Sequence, residues 1–130
     1  MSKFISILIL VNIVSAVKIY DNTKSNKIEI GKELEFTIDF GKKILTADFS
    51  IQFDSEKLEY SGSSTKNLKT NMANQNEFLG CYYDLEKIGI DKITLIFKTK
   101  AETNKTNIKI TNITIHTETA EETIADIIQE

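Results

Sequence analysis

Few residues in this chain have the chemistry of an active site. The single histidine, His116, and the single cysteine, Cys81, are its only representatives of those types. A general base needs a partner within hydrogen-bond reach. The sequence offers His116 none, and the Ile113/Ile115 alternation sets it outward, so it reads as a surface histidine. One thiol cannot close an internal disulfide, and one Cys with one His cannot make a Cys/His zinc site. At a position expected to face inward, Cys81 reads as a small buried hydrophobe. The 19 carboxylates alternate with Lys and Thr at surface phase, which favours solvated strand faces over the paired acids of glycoside hydrolysis. No alternating Asp/Asn loop of the EF-hand type is present. Catalysis, a metal and a cofactor are therefore not expected.

Sugar stacking would need exposed aromatic rings. Trp is absent, leaving Tyr20, Tyr60, Tyr82 and Phe78. The alternation of Phe78 to Leu85 is expected to turn Leu79, Cys81, Tyr83 and Leu85 inward and Phe78 and Tyr82 outward. Those last two are the candidate carbohydrate contacts. Asn104-Lys105-Thr106 and Asn112-Ile113-Thr114 match the glycosylation sequon, a motif frequent by chance in a chain this rich in Asn and Thr.

With pockets and nucleophiles set aside, a surface remains. Ala47, Phe49, Ile51 and Phe53 alternate strictly with Asp48, Ser50, Gln52 and Asp54. A side-chain period of two is what a strand with one dry and one wet face requires. The wet face is free to bind. Asp54-Ser55 supplies turn chemistry before Leu58 and Tyr60 resume the pattern.

Along the chain, residues 1–16 read as a signal peptide: Lys3, an apolar run from Phe4 to Val14, and Val14-Ser15-Ala16 before a cleavage point. The run is shorter than the ~20 residues that span a bilayer. A secreted or extracellular product is expected, free or held at a cell surface. Short strands follow at Val17/Ile19 and Ile28/Ile30, separated by a polar turn at 22–26. Leu34, Phe36, Ile38 and Phe40 alternate with Glu33, Glu35, Thr37 and Asp39, and Gly41-Lys42-Lys43 reads as the next turn. Residues 61–77 read as a long loop with a weak strand at most, anchored by Leu68 and Met72. Ile93, Leu95 and Phe97 form a further strand, with Ile96 on its second face. The phase slip between Ile110 and Ile113 predicts a β-bulge or a bend between two short strands. In 118–130, a cap at Thr119 and apolar residues Ala120, Ile124, Ile127 and Ile128 suggest an acidic tail, linker or short helix.

At 130 residues the chain has room for one domain, with the body at 17–117. Seven to nine short strands without crossover helices predict an all-β antiparallel sandwich of jelly-roll topology. The net charge is −3, and its distribution is uneven: 15 Lys against 14 acids over 17–117, then five acids and no Lys over 118–130. Lysines interleaved with acids, and no Arg at all, do not make the basic stripe that nucleic acid requires.

The Gly-led strand Gly31–Phe40, then Ala47-Asp48-Phe49-Ser50-Ile51-Gln52-Phe53-Asp54 with Leu58, and later Asp91-Lys92-Ile93-Thr94-Leu95-Ile96-Phe97-Lys98, resemble the cohesin modules. That resemblance implies a nine-stranded jelly roll, related to bacterial carbohydrate-binding modules, that binds dockerin modules in cellulosome-type or cell-surface scaffolds serving polysaccharide breakdown. It implies a partner contact at Asp48, with Thr46 where an Asn is expected two residues earlier. The expected partner-binding set is therefore Thr46, Asp48, Ser50 and Gln52, and a polysaccharide is the second candidate partner.

Overall fold

The computed structural model describes residues 17–21, 29–101 and 108–128. The proposed signal segment, the 22–26 turn, Ile28 and the Asn104 sequon lie outside them. Among the described residues there are ten strands and no helix: β1 (Lys18–Asp21), β2 (Glu33–Ile44), β3 (Thr46–Gln52), β4 (Leu58–Gly62), β5 (Leu68–Asn74), β6 (Glu77–Tyr83), β7 (Ile90–Thr99), β8 (Lys109–His116), β9 (Glu121–Ile124) and β10 (Ile127–Ile128).

The strands make two antiparallel sheets. One runs β1-β2-β7-β4; the other has the order β10-β8-β3-β6-β5, with β9 also on β8. Between them lies the core that the alternation predicts. Leu34, Phe36, Ile38 and Phe40 of β2 and Ile93, Leu95 and Phe97 of β7 meet Ala47, Phe49 and Ile51 of β3 and Ile110, Ile113 and Ile115 of β8, all buried. Burying each large side chain contributes about 1.5–3 kcal/mol. Phe97 is the hub of the aromatic packing, edge-on to Phe36 at 5.5 Å and to Phe53 at 5.3 Å. The all-β antiparallel sandwich is thus the observed architecture, with ten strands where seven to nine were expected.

Four local expectations change. Gly41-Lys42-Lys43 is no chain reversal: β2 continues through it to Ile44, with its register against β7 breaking between Asp39 and Ile44. Gly41 takes φ 72° and donates its N–H to Asp39 Oδ1 at 2.9 Å, a bulge held by a short polar side chain. The chain then crosses between layers in one residue, Leu45. Its N–H donates to the His116 carbonyl (2.7 Å) and its carbonyl accepts from Asp84 N–H (3.0 Å).

Second, the weak segment 61–77 contains a full strand, β5, paired with β6. Third, the described part of the last segment, 118–128, holds two short strands where a helix or tail was expected. β9 and β10 pair with β8 at Ile113↔Ile124 and Ile110↔Ile127, and Ile124 and Ile127 pack on the core. Lys42 bonds Glu122 at 2.7 Å, joining β9 to the other sheet.

The fourth change is the phase of β6, which is inverted. Phe78 and Tyr82 are buried, whereas Leu79, Tyr83 and Leu85 are exposed, and Cys81 is exposed with them. Gly80 explains why. It pairs with Phe49, and a Cβ there would sit 2.5 Å from the Phe49 ring, so the glycine must face the core to admit that ring. Of the bulge and the bend that the β8 phase slip allowed, the bulge is present, with one extra residue opposite Asp48–Ser50 and Asn112 at φ 53°.

Candidate binding face

The outer side of the larger sheet is built in rungs, because β3 runs between β6 and β8 and pairs residue by residue with both. Thr46 lies between Tyr83 and His116, Asp48 between Cys81 and Thr114, Ser50 between Leu79 and Thr111, and Gln52 between Glu77 and Lys109. Strict alternation turns Thr46, Asp48 and Gln52 outward, and the structure brings these three onto one surface as expected.

Ser50 is the exception. It shares their phase yet is only 4% exposed, and Thr111 beside it is 7% exposed. The short hydroxyl side chain sinks between longer neighbours, so Ser50 belongs to the floor of the face and not to its contact surface. Thr111 Oγ1 is buried without a hydrogen-bond partner among the described residues. Tyr82 and Phe78 are likewise removed from the list of surface candidates. Phe78 stacks on Tyr60 at 4.0 Å inside the sandwich, and a ring in that position cannot meet a sugar.

What the alternation of β6 concealed is an apolar row. Leu79 (49% exposed), Cys81, Tyr83 (55%) and Leu85 (81%) follow one another at every second residue beside the polar side chains of β3. Contiguous exposed apolar surface rimmed by polar groups is the usual mark of a protein-interaction site. The signal for it in the sequence was Gly80, which fixes the inward phase.

The electrostatics of the face are local. Partial burial holds the Cys81 thiol above its ordinary pKa. The Asp48 carboxylate adds to that by accepting the thiol hydrogen and by its charge, while Lys69 pulls the other way. On the first rung, Thr46 Oγ1 and His116 Nδ1 are 2.8 Å apart, and His116 Nε2 is 2.8 Å from Glu121 Oε2. His116 thus has partners on two other strands, which the linear sequence did not reveal. On the last rung Gln52 Nε2 donates to Glu77 Oε2 at 3.3 Å.

Beyond Tyr83 the row continues onto a rigid loop. The buried Asp84 carboxylate accepts N–H groups from Gly89 (2.6 Å) and Glu86 (2.9 Å), and these backbone bonds, Gly89 foremost, hold it below the usual carboxylate range. Burial first, then the charge and hydrogen bond of Asp84, raise the Tyr82 hydroxyl. The loop's order is therefore fixed from within, and Leu85 and Ile88 are left facing solvent. Among the described residues, no group of three or more His, Cys, Asp or Glu is placed to hold a metal ion.

No protein-family model matches the chain, and no curated protein sequence does. Solved structures do match. The cohesin module of a family 33 glycoside hydrolase from Clostridium perfringens is 8% identical, with a TM-score of 0.62 over 88% of this chain and 93% of that one. The sixth cohesin of scaffoldin B from Acetivibrio cellulolyticus, solved in complex with a dockerin, is 15% identical, with a TM-score of 0.60 over 85% and 99%. The OlpA cohesin of Clostridium thermocellum, also in a dockerin complex, is 15% identical, with a TM-score of 0.62 over 89% and 99%. At these identities the likeness is one of architecture: the chain has the cohesin fold, a jelly-roll sandwich.

Proposed function

We propose that this is a non-catalytic binding module whose outer β5-β6-β3-β8 face docks a protein partner of the dockerin kind. The observation that carries the reading is the exposed row Leu79, Cys81, Tyr83 and Leu85 alongside Asp48, Thr46 and Gln52. Apolar side chains already ordered on a sheet lose little conformational freedom on association, and a neighbouring carboxylate supplies register. The cohesin neighbours solved with dockerins support the class of partner. With residues 1–16 read as a signal peptide cut after Ala16, the module would act outside the cell or at its surface, in a cellulosome-type or other scaffold.

The test is retention of partners on the immobilised chain, from a panel of dockerin modules and from secreted extracts. Tyr83→Ala, Leu79→Ser and Asp48→Ala should each weaken binding by about tenfold or more, the size of central interface truncations. Ser50→Ala should leave it unchanged. Failure of every dockerin and every extract to bind, or indifference to Asp48→Ala and Gln52→Ala together, would refute the reading. Carbohydrate binding is the weaker alternative. The exposed tyrosines Tyr20 and Tyr83 stand on different sheets and so form no common stacking strip.

A further inference from the structure

Three side chains on neighbouring strands form one hydrogen-bonded chain across the first rung: Thr46 on β3, His116 on β8 and Glu121 on β9. A carboxylate can only accept, so the 2.8 Å contact to Glu121 requires the proton on Nε2. In the neutral ring, Nδ1 then carries a lone pair, and the 2.8 Å contact to Thr46 requires that hydroxyl to donate to it. The Thr46 hydrogen is consumed, and its remaining lone pairs make it an acceptor toward solvent. In the protonated ring both nitrogens are donors. Nδ1–H then donates to Thr46 Oγ1, and the hydroxyl hydrogen is released to point outward.

We propose that His116 is a specificity-determining residue of the face, because its protonation state sets whether the Thr46 hydroxyl can donate to a partner or can only accept from it. The inference rests on the reading of this face as a docking surface and adds its regulation. Histidine is the side chain that changes charge between pH 5 and 8. A partner carbonyl or carboxylate at this rung is therefore matched only when the ring is protonated, whereas a partner N–H finds a Thr46 lone pair in either state. A site built around one hydrogen-bonding sense rejects the other strongly, since a mismatch leaves a desolvated polar group unpaired. The titratable groups that share the outer face with the ring are Glu121 on β9, Asp48 on β3, and Cys81 and Tyr83 on β6; Glu122, which holds Lys42, stands on the other phase of β9.

Because the chain has one histidine, its ring nitrogens can be followed alone by long-range 1H–15N NMR of the labelled full chain across pH. The expected result is the Nε2–H tautomer at alkaline pH, with an Nδ1 resonance that shifts toward a free acceptor in Thr46→Val. A dominant Nδ1–H tautomer, or an Nδ1 resonance indifferent to Thr46→Val, overturns the proposal. The second arm measures affinity for each retained dockerin at pH 8 and pH 5.5. Thr46→Val should abolish the His116-linked part of the pH dependence, and a pH dependence surviving intact overturns the link to the partner. If no dockerin binds, the docking reading fails, while the ring-nitrogen measurement still decides the switch at Thr46.

Discussion

The Asp48 carboxylate accepts the Cys81 thiol hydrogen across the strand, and in the proposed docking mode a partner would compete for it. Its charge discourages the thiolate, the reactive form. Asp48→Asn should therefore lower the Cys81 pKa and speed its alkylation severalfold at pH 8, read by mass spectrometry against the wild type. A partner covering the face should slow the same reaction. At this scale the sequence was legible where a residue's fate depends on phase alone, as for Asp48 and Gln52. It was silent where the fate depends on a neighbour's bulk, as for Ser50, or on a contact 70 residues away, as for Thr46 and His116.

Among the elements, β2 and β3 could be read directly because their apolar residues sit on one phase only, and β7 because its buried ones do, with Ile90 and Ile96 half-buried on the other phase. β6 could not be, because both phases carry large apolar groups: Leu79, Cys81 and Tyr83 on one, Phe78 and Tyr82 on the other. Gly80 decides between them, so Gly80→Ala should cost about 1–3 kcal/mol, as overpacking does, and Phe49→Leu should recover part of that loss. Chemical denaturation of the single and double variants measures both. The β6–β7 loop gives a pH-dependent counterpart. Asp84 has its folded pKa depressed, so its stabilisation is present above the unfolded carboxylate value of about 3.9 and is lost as pH falls through the lower folded value. Asp84→Asn should thus be less stable than wild type at pH 7, and the gap should close on acidification, followed by urea denaturation at stepped pH.

For the molecule as a whole, the segment from Glu121 to Ile128 belongs to the sandwich. Ile124 and Ile127 pack on the core, and Glu122 reaches the opposite sheet through Lys42. Cutting the chain after Thr117, where the helical spacing of Ala120, Ile124, Ile127 and Ile128 placed a domain boundary, should cost about 2–4 kcal/mol through the loss of two partly buried isoleucines. A lower urea midpoint checks it. The apolar spacing of those residues suits a helix and a broken strand alike, and only the free edge of β8 selects the strand.

The passage of the chain between layers at Leu45 has a practical corollary for anyone wishing to splice a tag or epitope into this protein. Since that one residue is hydrogen-bonded to both the end of β8 and Asp84, extra length there would pull the two layers out of step with each other. The β5–β6 hairpin tip at Gln75, turned to solvent between strands of the same layer, is the position where foreign sequence can be carried as cargo.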